Sequence, residues 1–499
     1  VYKRQAPMTS VADSSTGGSS VVVVDASAGS DAPSPAAVEQ TGRPAPATTP
    51  SPTGSKVTGA MTKAGPPISS SGSDRSGGLK GVLIVPGIAS PNPTSGGSSD
   101  GPQVNPVTDN RPVNRPVSPP TPPGNLPLWS DPATWPDGRV PSPGANVTIP
   151  ASMKVELDQD VQVGGLTVAG ELSFSPNASV RLASSANVVV TGRLLMVPAN
   201  ASVRHHLEFV GVRESAFRGG GMEVMDSDVG LWVMGSGQLV TQGAVKRGWT
   251  NATGSISAGA TSLTVEDASG WRVGDTIVIA PTAQPDFNGN KLRRTYDGFH
   301  EATITAVSGN QVSFDRPTTD SHPKVDQRWT AEVMNLTRNV IISGQDSQHK
   351  AHIFIRANRP QFVRHTELRY LSPGRVYDQG YQADGQVLGR YGLHFHHAAN
   401  GMRGTIVEGV SLHRFGNHGF VTHMSHGITL RDTIAYDGGN TPYWWDPGDD
   451  SHDILWDRTI AARTRGLDGS YFLGSGHNVE VRNSVAVGSI AMTNAAGYK

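Results

Sequence analysis

Cysteine is absent from this chain. Its absence excludes a disulfide framework, a thiolate metal site and a cysteine nucleophile, and with them the small Cys-rich secreted scaffolds. Long apolar runs are missing as well. Runs such as 21–24 and 82–86 fall far below the ~20 residues that cross a bilayer as a helix, so no transmembrane segment is expected. Nor is there an excess of one charge: 41 Lys and Arg face 42 Asp and Glu. That balance gives no basis for nucleic acid or an anionic membrane as the main partner. No phosphate-cradling glycine loop, dinucleotide fingerprint or His-Glu-x-x-His pair occurs. Val1 rather than Met opens the chain, which therefore reads as a fragment.

Aromatic side chains are lacking over a long stretch, none falling between Tyr2 and Trp129. Residues 1–127 are instead rich in Ser, Thr, Pro, Gly and Ala. Such a segment buries too little apolar surface to offset its chain entropy, and a disordered stalk is expected. Runs such as Ser118-Pro119-Pro120-Thr121-Pro122-Pro123 favour an extended, polyproline-like backbone.

At Leu128 the texture changes. Short alternating apolar stretches follow, each closed by Gly, Asn or Pro, and no helical period appears; 128–250 reads as a β domain. A second β region, 251–334, contains Thr261-Ser262-Leu263-Thr264-Val265 and a turn at Ser308-Gly309-Asn310, where Gly and Asn tolerate positive φ. From about 335 to 499 a longer repeat emerges. His426-Gly-Ile428-Thr-Leu430-Arg-Asp432-Thr-Ile434 aligns with His452-Asp-Ile454-Leu-Trp456-Asp-Arg458-Thr-Ile460. Both align with His477-Asn-Val479-Glu-Val481-Arg-Asn483-Ser-Val485, at spacings of 26 and 25 (452 − 426 and 477 − 452). A period of this length with two short strands and polar bends predicts a parallel β-helix, whose coils bury their inner faces by stacking. The expected class is all-β: a β-rich domain, then a right-handed parallel β-helix, behind a disordered stalk.

Of 16 histidines, seven lie between His394 and His426. On a strand, His394 and His396 share one face and His397 takes the other. Two same-face imidazoles suit metal ligation or acid–base chemistry, since imidazole titrates near neutrality and its neutral form binds divalent metal. Hydrogen-bonded structural histidines are the competing reading. Adjacent coils bring His413, His418 or His423 close, while His426, His452 and His477 belong to the repeat and are assigned to stacking. A second candidate is the acidic loop Trp444-Trp445-Asp446-Pro447-Gly448-Asp449-Asp450. Its carboxylates suit glycoside cleavage or a hard cation such as calcium, and its tryptophans suit sugar faces. Arg364, His365, Arg369, Arg375 and Arg390, with Tyr370, Tyr377, Tyr381 and Tyr391, surround a Gly-rich insertion that would accept carboxylates.

The stretch Trp129-Ser130-Asp131-Pro132-Ala133-Thr134-Trp135, followed by Gly138, Val140-Pro141, Gly144, Val147 and Ile149, resembles the opening of a G8 domain. Gly164-Gly165-Leu166-Thr167-Val168-Ala169-Gly170-Glu171-Leu172 resembles its glycine-punctuated strands. Gly270-Trp271-Arg272-Val273-Gly274-Asp275 and Gly392-Leu393-His394-Phe395-His396 resemble segments of animal extracellular proteins that bind and depolymerise hyaluronan, and fibrocystin-like receptors share the domain pairing. The resemblance covers about 128–490. It implies a secreted or cell-surface protein with a polysaccharide partner, and calcium-dependent hyaluronan cleavage in some members. Two positions depart from the family: His397 stands where Leu is usual, and Gly439-Asn440-Thr441-Pro442-Tyr443-Trp444-Trp445 replaces a Gly-His-x-x-Phe segment. Two functional readings follow. One is a polysaccharide-cleaving enzyme, a glycosidase or a lyase. Its catalytic candidates are His394, His396, His418, Asp446 and Asp449, its substrate contacts Arg390, Tyr391, Trp444 and Trp445, and calcium its candidate cofactor. The other is a non-catalytic adhesive or structural module.

Overall fold

The computed structural model describes residues 4–5, 126–282, 298–374, 387–445, 449–465 and 469–488. The expected stalk, 1–127, therefore lies almost wholly outside the described residues. Beyond it the chain is all-β: the described residues contain no α-helix, only two 3-10 turns at Pro132–Thr134 and Glu214–Ala216.

Three parallel sheets form a right-handed β-helix. The first coil is Val147–Ile149, Lys154–Leu157 and Val161–Val163; each later coil adds one strand to each sheet, ending with Tyr471–Phe472, Val479–Arg482 and Val485–Val487. Two of the sheets have nine strands. The third has ten, because Arg4–Gln5 pairs antiparallel with Val485 and Ala486. Alternation explains the packing. Val147, Ile149, Leu166, Val168, Val188, Val190, Leu231 and Val233 point inward from one sheet, and one continuous core runs from Trp129 to Ala486. Each such side chain contributes roughly 1.5–3 kcal/mol by burial. Further along, Phe420, Tyr443 and Tyr471 stack inside the solenoid, the last two with ring centroids 4.8 Å apart.

A single left-handed residue turns the chain between the second and third strands of successive coils: His365, Gly409, Asp432, Arg458 and Asn483, with φ between 45° and 63°. One such residue reverses strand direction in minimal length, and Asp and Asn tolerate it better than most side chains. This is the bend that the repeat marks in the sequence.

The separation of 128–250 from 335–499 expected from sequence is not a structural break. Strand pairing is continuous through both: His205–Phe209 pairs in parallel with Val340–Gly344, and Leu231–Gly235 with Ile353–Ala357. A six-stranded antiparallel sheet, from Trp249–Asn251 to Glu332–Asn335, is inserted within one coil and hides that continuity from sequence. It has its own core around Trp271, Ile277, Ile304 and Phe314. Its hairpin His300–Ser308 to Gln311–Phe314 turns at Gly309 with φ 57°, where the turn was expected. Trp249, Val278 and Met334 pack it onto Ile434, Tyr436, Ile460 and Val485 of the ten-stranded sheet. At the start of the solenoid Trp129 and Trp135 meet edge to face at 4.8 Å, and the Trp135 indole N–H donates to the Trp129 carbonyl at 2.9 Å. Both belong to the solenoid core, and the Trp129 N–H donates to the Glu156 carbonyl of the first coil at 2.8 Å.

Candidate functional site

Strand Leu393–Ala399 lies in a nine-stranded sheet between Ile353–Ala357 and Phe420–Ser425. Leu393 and Phe395 enter the core. Period two therefore turns His394 and His396 outward. Register supplies the third imidazole, because His396 sits opposite His423 of the next coil.

His397 does not take the opposite face. The register slips between His396 and Ala399, and His397 adopts φ 46°. This is a β-bulge, which adds one residue and re-aims a side chain. The His397 ring consequently lies 4.4 Å from that of His396 and 4.6 Å from that of His423. Four imidazoles share one outer face.

Their nitrogens converge. His394 Nδ1 contacts the Gly389 carbonyl at 2.8 Å, and its Nε2 lies 3.2 Å from His396 Nδ1. The same His396 nitrogen lies 3.1 Å from His423 Nδ1. His423 Nε2 lies within hydrogen-bonding reach of the Asp449 carboxylate. His394 is fully buried, His396 nearly so, and His423 and His397 are partly open. Burial, then the neighbouring His423 and His397, holds the His396 imidazole down to about 3; burial, then His396, holds that of His394 far below its ordinary range. Burial thus disfavours a charge on His394 and His396. Among the described residues, His394, His396 and His423 are the one group of three or more His, Cys, Asp or Glu residues placed to hold a metal ion. Imidazole nitrogens do not suit calcium, which takes oxygen donors. The calcium that the resemblance implies does not fit this cluster.

The other sequence candidates separate. His418 is buried, stacked on Trp444 with ring centroids 4.0 Å apart, and set edge-on to Tyr391. Tyr391, Val421 and Trp444 form a small apolar cluster beside His394. Trp445 points the other way. It is fully buried in the solenoid core against Trp456, and its indole N–H donates to the Ser475 carbonyl at 3.1 Å. Arg390 is also fully buried. It pairs with Asp228 at 2.7 Å and lies 4.6 Å from the Trp232 ring centroid, so it ties the segment before strand Leu393–Ala399 to Asp228 and strand Leu231–Gly235. Neither Trp445 nor Arg390 offers a surface to a polymer. Sequence cannot separate such residues from exposed ones, because charge and aromaticity serve both settings. Asp446, Arg375, Tyr377 and Tyr381 lie outside the described residues. Arg369 pairs with Glu367 at 2.7 Å and Arg364 with Glu408 at 3.8 Å. His413 belongs to another sheet and meets Glu367 at 3.4 Å. His426, His452 and His477 stack along a corner, at 4.6 and 3.8 Å, each accepting the backbone N–H of the next where one follows.

Residues 134–252 match the model of the G8 domain. The chain is 24% identical over 339 residues to Communication mutant protein F of Dictyostelium discoideum, covering 64% of this chain and 28% of that protein. It is 23% identical over 372 residues to Fibrocystin-L of Mus musculus, covering 66% of this chain and 8% of that protein. The chain thus spans under a third of the relatives it matches. The crystal structure of the Pseudomonas phage phi297 tailspike gp61 aligns with 63% of this chain and 57% of its own at 9% identity and a TM-score of 0.18, a likeness too slight to bear on fold or function. The chain carries a G8 domain, built as the opening coils of its β-helix, and it resembles fibrocystin-like proteins.

Proposed function

We propose that the chain is an extracellular module that binds a polysaccharide, hyaluronan-like by family resemblance, and cleaves it on the outer face holding His396, His397, His423 and Asp449. The observation that carries this reading is the convergence of imidazoles and a carboxylate on one partly open β-helix face. Acid–base cleavage of a glycosidic bond needs a group that gains and loses a proton near neutral pH within reach of the polymer. We assign this role to His397, whose ring meets those of His396 and His423 at 4.4 and 4.6 Å; partial burial, then His423, shifts its imidazole down from its ordinary value. Its ring sits at the rim, while His394 and His418 are buried behind it. The extracellular setting rests on the G8 domain and the fibrocystin-like relative. No helix among the described residues is long and apolar enough to cross a membrane.

The test incubates the protein with hyaluronan, a polyuronate and a neutral glucan, and follows chain length by size exclusion with light scattering. Shortening of one polymer, abolished in His397→Ala with folding intact, is expected. A new ultraviolet absorbance of an unsaturated product would mark elimination and its absence hydrolysis. Retained binding without shortening of any polymer would replace the cleavage reading with the adhesive one.

A further inference from the structure

The geometry points to a site for a borderline divalent transition-metal ion, of which Zn²⁺ is the representative, held by His394 Nε2, His396 Nδ1 and His423 Nδ1. The proposal stands apart from the polysaccharide reading and is tested without a polysaccharide.

Three observations carry it. The first is tautomer selection. His394 Nδ1 faces the Gly389 carbonyl at 2.8 Å and His423 Nε2 faces the Asp449 carboxylate. A carbonyl or carboxylate oxygen accepts only, so each of these nitrogens carries the proton, and the other nitrogen of each neutral ring presents a lone pair. Those two lone pairs, on His394 Nε2 and His423 Nδ1, are aimed at the same atom, His396 Nδ1, from 3.2 and 3.1 Å. One proton on His396 cannot make two well-aligned hydrogen bonds at once, whereas a cation among the three nitrogens satisfies all three lone pairs. The second observation is spacing. Zn–N bonds of about 2.0–2.1 Å at tetrahedral angles place ligand nitrogens about 3.3 Å apart. Two of the three separations are already close to that value, and all three ligand atoms lie within 4.8 Å of one another. The third is the surrounding shell. Metal-bound histidines almost always give their second N–H to a carboxylate or a backbone carbonyl, which fixes ring orientation. Asp449 and Gly389 supply one of each.

The fold makes such a site rigid. Two ligands sit two residues apart on one strand and the third is in direct register on its parallel neighbour, so the distances are set by sheet geometry. Three protein ligands leave the fourth position open, as in catalytic rather than structural sites. On this chain His423 and the neighbouring His397 are the partly exposed members of the cluster.

The full chain is treated with a chelator, dialysed, and titrated with Zn²⁺ by calorimetry, with metal content measured by mass spectrometry. Co²⁺ serves as a spectroscopic probe. One Zn²⁺ per chain, a Co²⁺ ligand-field spectrum of low coordination number, and no heat from Ca²⁺ are expected. His396→Gln and His423→Gln should each abolish stoichiometric binding. Asp449→Asn, which keeps all three ligands, should weaken it by about 10–100-fold. His452→Gln, in the corner ladder, should leave it unchanged. Absence of stoichiometric binding of Zn²⁺ and Co²⁺, or binding that survives both ligand substitutions, overturns the proposal. Because binding is read without a polymer, its failure leaves the cleavage reading standing, and failure of cleavage leaves the metal site standing.

Discussion

Acidification should unfold this protein well above the pH at which carboxylates titrate. His205, His352 and His418 are buried, and each has one nitrogen near a backbone oxygen: Ser175 at 2.8 Å, Asp228 at 3.0 Å and the backbone of Thr441. The other nitrogen, Nδ1 in all three, has no hydrogen-bond partner among the described residues. One acceptor suffices for a neutral ring, whereas the charged ring needs two. Burial therefore holds His205 down to about 4 and His418 to about 3; burial, then the Arg390 guanidinium, holds His352 to about 3. The unfolded rings titrate near 6.5. Folded values lie below unfolded ones, so the stability contribution is full above 6.5 and is lost as pH falls toward 3–4. At pH 5 each unfolded ring has gained its proton and each folded ring has not. The loss is about 2 kcal/mol per ring, or about 6 kcal/mol for three, against a typical total of about 5–15 kcal/mol. The assay is the calorimetric Tm at fixed scan rate from pH 8 to pH 5, in chelator so that no metal contributes. A plateau above pH 7 and a steep fall below 6.5 are expected, with a shallower slope in His205→Gln and His352→Gln. A Tm that stays level to pH 5, or a slope indifferent to both substitutions, would refute the reasoning.

Further outcomes follow from burial. Arg390→Ala leaves the Asp228 carboxylate buried and unpaired, and should cost about 3–5 kcal/mol, read as a lowered denaturant midpoint. Trp445→Ala opens a cavity in the solenoid core and should cost about 3–5 kcal/mol by the same assay. His397→Ala, at the open rim, should leave that midpoint within about 0.5 kcal/mol of the parent, which separates its role in cleavage from any role in folding.

The scaffold was legible where the sequence repeats itself. Asp432, Arg458 and Asn483 recur because each coil needs a left-handed residue at the same corner. The opening coils escape such reading because the antiparallel insert interrupts their successor, separating strands that pair directly, such as Gln238–Gln242 and Phe362–Arg364. At the candidate site, alternation alone puts His394 and His396 on one face. His423 as their partner depends on register between coils, which no local pattern encodes. The position of His397 depends on a bulge, and the burial of Arg390 on Asp228, 162 residues away. Each of these is a long-range fact, settled by which chain segments meet.

The bulge at His397 also says something about how such a site changes over generations. Inside the solenoid, alternation is locked by stacking, and a substitution there is judged by every coil around it. One extra residue near the end of strand Leu393–Ala399 falls on the outer face, away from that stacking. It brings the His397 ring against His396 and His423 while Phe395 and Phe420 keep their places in the core. Gain or loss of the fourth imidazole is thus a single-codon event, invisible to the scaffold, and the chemistry of this face is free to drift while the architecture beneath it is inherited intact.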